Sequence, residues 1–485
     1  MIKYLISTFL FLSSYNTIFA QQSDINQPVL DKFKAYFNKQ ETDSIYQQWS
    51  EGAKVYVSKA KLDSLLQVQL YPLGTIESTE LLATEENLSY YKLNFTSDTL
   101  KLALSTDTNQ KIETFFLQPY DTVNTNTAKA DTQSSADTTN AIRETQSAEN
   151  DLDNFIDSLA LRYTANPNSS GLGIAVSNNG KTSYYYYGET THGNKQLPGH
   201  ETLFEIESIS KTITATLLAH QALTKKINLD DSITNYLPDS VAQNPDLAGI
   251  TFRNLATHTS GLPYLPDNLA PKEPLDPYRD YTRALLFSYL KNYKRHIKPD
   301  SLYEYSNLGY GLIGDLLSYS QNTSYHEMVQ RFIAQPLGLH QFSEFPESDK
   351  LSNFAPTYNK EGQLTPHWHF LALSAAGSLK SSLPDLMKFA EANLNPPKTT
   401  LGEAIRLTQR PAWLVSETQD LGLAWHISID DFQEIYWHNG ATYGSSSYLA
   451  FIPKKKVAIV ILANSALPVD DMGYAIVKKL IAVSH

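Results

Sequence analysis

The sequence predicts an α+β protein in two folded parts, a small α+β domain and then a larger one with an antiparallel sheet flanked by helices. Three observations carry this. Helical spacing gives way to strict alternation within residues 28–120. Residues 121–150 lack the apolar side chains needed to fold. Strand patterns stand at both ends of residues 151–485, with helical patterns between them.

The chain begins with Lys3, an apolar run from Leu5 to Leu12 broken only by Ser7 and Thr8, and small Ala20 before Gln21-Gln22. This reads as a cleaved secretory signal over residues 1–20, too short for a membrane span. No later run approaches the ~18 apolar residues that a span requires. The mature chain is therefore expected to be exported, periplasmic or secreted, with no transmembrane segment. Its 51 acids against 39 bases give a net charge of −12 without a basic block, which argues against nucleic acid and anionic membrane surfaces as partners. The absence of cysteine excludes disulfides, thiolate zinc sites, iron–sulfur clusters and a cysteine nucleophile. With 41% hydrophobic residues, wholesale disorder is excluded as well.

In residues 28–120, Leu30, Phe33, Tyr36 and Phe37 recur at helical spacing. A second helix carries Ile45, Tyr46 and Trp49. A third carries Leu62, Leu65, Leu66 and Leu70, ended by Pro72 and Gly74. Tyr91, Leu93 and Phe95 then alternate with Lys92 and Asn94, Leu100, Leu102 and Leu104 alternate likewise, and Ile112 to Leu117 gives a further strand. Helices followed by an antiparallel meander resemble the cystatin-like cone fold of nuclear-transport-factor-type modules. No catalytic constellation appears there. Residues 121–150 contain no aromatic residue, and Val123 and Ile142 are their only large aliphatics, so the stretch reads as a flexible linker.

In residues 151–485, Leu172 to Val176 and Tyr184 to Tyr187 form a predicted hairpin around Asn178-Asn179-Gly180, with the tyrosine run as strand surface. Tyr448 to Ile452 and Val457 to Leu462 form a second strand pair, and a helix around Tyr474 to Ile481 closes the chain. The segment FEIESISKTITATLLAH, residues 204–220, carries an Ile209, Ile213, Leu217 stripe, which places a helix start near Ser208. Ser208 and Lys211 then share one face of its first turn. A serine hydroxyl is a weak nucleophile until something accepts its proton, and a partly desolvated lysine can do so. The helix N-terminus also offers backbone N–H groups to an oxyanion. The S-x-x-K spacing occurs three times, at Ser58 and Lys61, Ser208 and Lys211, and Ser288 and Lys291, so spacing alone singles out none of them. A capping serine followed by a surface lysine explains it equally well.

The context of Ser208 is more specific. F-E-I-x-S-I-S-K-T-I-T-A resembles the nucleophile motif of the serine β-lactamase and penicillin-binding-protein superfamily. It is closest to the class C-like branch, which also holds D-amino-acid peptidases and family VIII esterases. YEYSNLGYGLIG, residues 303–314, contains Tyr305-Ser306-Asn307, similar to the branch's Y-x-N. YWHNGATYGSSSYLAFIP, residues 436–453, places His438-Asn439-Gly440 before a strand, where the superfamily carries K-T-G. LATHTSGLP at 255–263 and GSLKSSLPDLMKF at 377–389 resemble two further segments of the branch. The resemblance covers 151–485 and none of 28–120.

The resemblance implies a serine β-lactamase-like fold with a helical subdomain. Ser208 would be the nucleophile. Lys211 and Tyr305 would carry its proton, the phenol being acidified by the lysine. Asn307 would hydrogen-bond a substrate amide and steady Lys211. Gly440 would let substrate backbone approach closely, and the Ala441 and Ser208 N–H groups would form the oxyanion hole. His258 and Ser260 would be structural, and Asp385 would cap a helix. No metal or cofactor is expected, since the scheme needs none. The expected function is an exported serine hydrolase forming an acyl-enzyme on an ester, a D-amino-acid peptide or a β-lactam-type carbonyl. A small molecule, a peptide or cell-wall peptidoglycan would be the partner. Esters and D-peptides rank ahead of β-lactams, because His438, unlike the lysine of K-T-G, is cationic only part of the time. The alternative is a catalytically silent, penicillin-binding-protein-like binder or sensor of cell-wall peptides. Intact serine and lysine count against it.

Overall fold

The computed structural model describes residues 24–119, 141–144 and 151–483, apart from 57–58, 60–61, 64–65, 86, 346–349, 417–418 and 431–432. The signal segment 1–20, most of the segment read as a linker, and the Ser58 and Lys61 pair lie outside the described residues. The chain divides into two compact units, Met1–Gln133 and Ser134–His485.

In the first unit the helix Gln27–Asn38 buries Val29, Leu30, Phe33 and Phe37, the face that the spacing predicts. Leu62, Leu66 and Leu70 are buried, the last two in a π-helical turn over Leu66–Leu70. Four antiparallel strands follow in sheet order: Ile76–Glu85, Leu88–Phe95, Thr99–Thr106 and Ile112–Pro119. The strand Ile76–Glu85 is not predicted by the sequence pattern. It lies at the sheet edge and leaves both Leu81 and Leu82 exposed, so it shows none of the apolar alternation by which a strand is recognised.

The second unit is built on a nine-stranded antiparallel sheet. Its order is Trp413–Ser416, Gln419–Leu421, His426–Asp430, Gln433–Ala441, Ser446–Ile452, Val457–Ala463, Leu172–Asn178, Lys181–Tyr187 and Ala141–Glu144. The last hairpin of the chain therefore pairs with the first, Val460 opposite Ala175, and both ends of the domain build one sheet. Both faces are covered, which is why Val457–Ala463 reads as a continuous apolar run. Val460 and Leu462 join the larger core beneath the helices Ser210–Leu223, Asn307–Gln321 and Leu383–Leu394. Ile459 and Ile461 face the opposite way, onto the helices Asp151–Thr164 and Asp470–Val483.

Two expectations are corrected here. The tyrosine run is not strand surface: Tyr185, Tyr186 and Tyr187 are buried, and the hydroxyls of Tyr185 and Tyr187 donate to Asp153 at 2.6 Å and Asp157 at 2.5 Å. A buried phenol needs an acceptor, and the acids of the first helix supply it. Within the segment read as a linker, Ala141–Glu144 forms the outer strand against Lys181–Tyr187. That pairing runs through backbone groups, so it needs no apolar side chain, and it covers what would otherwise be an open edge.

A smaller three-stranded sheet joins Leu203–Glu205, Lys380–Ser382 and Phe342–Ser343, and so anchors the chain just before Ser208. Asp385 is not the cap of the helix Leu383–Leu394. The Ser382 hydroxyl accepts the Asp385 N–H at 3.4 Å, while the Asp385 carboxylate accepts the Gln341 N–H at 2.5 Å.

Candidate active site

Ser208 sits in a 3₁₀ turn, Glu207–Ile209, that runs directly into the helix Ser210–Leu223. The helix is buried from Ser210 to Ala219. Its threonines are tolerated there because their hydroxyls donate to backbone carbonyls, Thr212 to Ile209 at 2.8 Å and Thr216 to Thr212 at 2.8 Å. Burial on every side fixes the turn and the direction of Lys211.

Lys211 Nζ donates to Ser208 Oγ at 2.8 Å and to the Ala376 carbonyl at 2.7 Å. It is fully buried. Burial lowers its pKa to about 8, against the opposing pull of the Glu207 carboxylate. An appreciable fraction is then neutral near physiological pH and able to accept a proton.

The Tyr305 hydroxyl donates to Ser208 Oγ at 2.8 Å, and its ring lies 4.9 Å from Lys211 Nζ. The predicted acidified phenol is not found. Burial, and next the negative charge of Glu207, hold its pKa well above the usual phenol value. Of the two, Lys211 is the group with a neutral, proton-accepting form near neutral pH, and Tyr305 rests as the neutral phenol.

The loop read as structural positions this tyrosine. The His258 ring stacks on Tyr305 with centroids 4.3 Å apart. Its Nδ1 accepts the Ser306 N–H at 2.9 Å, and its carbonyl accepts the Glu304 N–H at 2.7 Å. The Tyr264 carbonyl accepts the Asn307 N–H at 3.0 Å. Ser306 caps the helix Asn307–Gln321 by accepting the Gly309 N–H. Asn307 is buried, and its side chain lies against Tyr264 and Tyr278. Among the described hydrogen bonds Lys211 reaches Ser208 and Ala376, not Asn307, so the predicted steadying of the lysine falls to the Ala376 carbonyl. Among the described residues, the Asn307 Oδ1 atom is buried without a partner.

His438 lies on the strand Gln433–Ala441, its ring centroid 6.5 Å from that of Tyr305. Nδ1 contacts the Asn439 carbonyl at 2.6 Å, so Nδ1 carries the proton and Nε2 presents a lone pair. Burial, and next His426 and Lys211, hold its pKa well below the usual histidine value. His438 is therefore a neutral acceptor and not the fixed cation of a K-T-G lysine.

Gly440 is needed for a different contact from the one expected. A Cβ there would stand 2.4 Å from the Ile206 carbonyl and 3.0 Å from the Ser208 nitrogen. The close approach is to the protein's own turn at Glu207–Ile209, which it seats against the strand. Ala441 follows, and its N–H points at the side of that turn. Sequence reasoning missed Glu205. This buried carboxylate accepts Thr442 Oγ1 at 2.8 Å and the Trp368 N–H at 2.8 Å, tying the segment before Ser208 to the loop after Ala441. It stands in the segment quoted for Ser208, but its partners are far away in sequence, so the segment alone gives it no role. Among the described residues, no group of His, Asp and Glu stands arranged to hold a metal ion, and no helix is long and apolar enough to cross a membrane.

Residues 156–483 match the family model described as Beta-lactamase. Beta-lactamases of Providencia stuartii and Pseudomonas fluorescens are each 30% identical to the chain, over 336 and 356 residues. These alignments cover 62% and 66% of this chain and 84% and 95% of the relatives. A beta-lactamase of Escherichia coli (strain K12) is 31% identical over 335 residues, 61% of this chain and 85% of its own. Among solved structures, a class C beta-lactamase is similar with a TM-score of 0.63 at 25% identity, over 70% of this chain and 98% of that one.

Proposed function

The chain belongs to the beta-lactamase family, and on that premise we propose that it is a serine hydrolase working through an acyl-enzyme on Ser208. The observation that supports this most directly is the pair of 2.8 Å hydrogen bonds that Lys211 and Tyr305 direct at Ser208 Oγ. Neutral Lys211 takes the hydroxyl proton as Oγ adds to the substrate carbonyl. The new oxyanion is held by the Ser208 and Ala441 N–H groups. Tyr305 gives its proton to the leaving group and regains one from Lys211, so the pair returns to its starting state. Water repeats the sequence on the acyl-enzyme.

The acyl donor is an ester, a D-amino-acid-containing peptide or a β-lactam ring, as in the D-aminopeptidase and family VIII esterase branch. His438 bears on the choice. A neutral histidine attracts a substrate carboxylate less than a lysine does, which favours uncharged esters and small peptides over carboxylate-bearing β-lactams. The protein is exported, and the cystatin-like unit at 28–120 tethers the hydrolase, through the segment that precedes the strand Ala141–Glu144, to cell wall or partner.

The test is turnover of a nitrophenyl acetate, a D-alanyl anilide and a chromogenic cephalosporin by the wild type and by Ser208→Ala. Loss of all turnover in the variant is expected. Full turnover by Ser208→Ala sinks the proposal. A folded wild type inert to all three classes brings the silent binder forward.

A further inference from the structure

Glu207 stands directly before the nucleophile, and no step above uses it. Its backbone has φ +36°, in the left-handed region that disfavours residues other than glycine. Its side chain is nevertheless tucked inward, and the residue is only 5% exposed. Carboxylate Oε2 lies 3.4 Å from the Ala441 nitrogen and accepts its N–H. Burial raises the pKa of the Glu207 carboxyl, and Lys211 and the adjacent Ser208 oppose that rise, the Ala441 N–H with them. The Ser208 and Ala441 N–H groups are the two that the acyl-transfer reading assigns to the oxyanion hole. The other oxygen, Oε1, rests 3.1 Å from where a Cβ of Gly377 would stand, so the carboxyl fits against bare backbone. Facing it are Lys211 from the helix and Tyr264, Tyr278 and Tyr305 from the surrounding loops.

We propose that Glu207 is a specificity-determining occupant of the oxyanion hole: its carboxylate fills, in the free protein, the place that a substrate's carbonyl oxygen takes during acyl transfer. The inference rests on the acyl-transfer reading and extends it. A carboxyl lying across these N–H groups keeps a substrate carbonyl from reaching them, and a weakly polar carbonyl competes poorly for the place. Glu207 must turn out of the hole before Ser208 is acylated. Left beside the acyl carbon, its charge also opposes the developing oxyanion. Only acyl donors that offer a strong acceptor oxygen, and bind well enough elsewhere to displace the carboxylate, are then turned over quickly.

The experiment compares Glu207→Gly and Glu207→Gln with the wild type in the rate of labelling by a neutral fluorophosphonate, whose phosphoryl oxygen must enter the hole. Glycine accepts the φ of this position and empties the hole. Glutamine keeps the size but loses the charge. A hole free for a tenth of the time lowers the rate by about tenfold, so labelling is expected to rise at least that much in Glu207→Gly and by a smaller factor in Glu207→Gln. Removing the charge also removes what raises the Lys211 pKa, so the acidic limb of the labelling profile moves to lower pH in both variants. A purely structural role moves neither quantity in that direction. Equal or slower labelling in both folded variants, with the wild type labelled, overturns the inference and leaves acyl transfer standing. No labelling of any of the three folded proteins overturns acyl transfer, and this inference with it.

Discussion

Lys211 Nζ stands 2.8 Å from Ser208 Oγ inside a wall of protein that leaves the lysine no exposed surface. Desolvation brings its pKa to about 8, which makes an ordinarily charged group a usable base. Below that value the lysine is protonated and cannot take the serine proton. Fluorophosphonate labelling of the wild type should therefore rise with pH through a single limb with its midpoint at about 8. A midpoint near the histidine range would assign the base elsewhere.

Lys211→Met keeps the length of the side chain and removes the base. Turnover should fall by about 10²–10⁴, the usual contribution of a positioned general base. The fall should appear in kcat, while the far-UV spectrum stays that of the wild type. An unchanged kcat would exclude the lysine from proton transfer.

Tyr305→Phe removes the second donor to Ser208 Oγ and keeps the ring that stacks on His258. If Tyr305 serves the leaving group, as proposed, the loss should be largest for substrates with poor leaving groups. An alkyl ester or anilide should lose about 10²-fold or more, and a nitrophenyl ester much less. Equal losses across the series would contradict this role.

Gly440→Ala forces a methyl group to within 2.4 Å of the Ile206 carbonyl. The nucleophile turn must then shift away from the strand. Overpacking of this kind costs roughly 1–3 kcal/mol, and a misplaced Ser208 loses activity out of proportion to that cost. Thermal melting and labelling rate, measured together, check it. Wild-type labelling in Gly440→Ala would show that the turn is not seated there.

The candidate site could be read from the sequence because its residues lie in short linear segments. Ser208 and Lys211 are three residues apart on one turn, Tyr305 and Asn307 share another, and His438 to Ala441 are contiguous. The residues that escaped notice work through distant partners. Glu205 meets Thr442 and Trp368 only once the chain has folded. Glu207 gains its meaning from a positive φ and from Ala441, 234 positions away. In the fold, the buried strand Val457–Ala463 announced itself by its apolar run. The edge strands Ile76–Glu85 and Ala141–Glu144 did not, because backbone pairing at an edge leaves little trace in side-chain pattern.

Deleting residues 21–133, the first unit beyond the signal segment, should leave turnover on a small ester unchanged if that unit serves as a tether. Loss of all turnover would mean that it helps to build the site.

The central claim is that Ser208 is an activated nucleophile. Its most direct test is the intact mass of the full-length protein after exposure to a fluorophosphonate, with Ser208→Ala in parallel. One adduct is expected on the wild type, mapped to the peptide carrying Ser208, and none on the variant. An adduct of equal extent on Ser208→Ala, or none on a folded wild type, would contradict it.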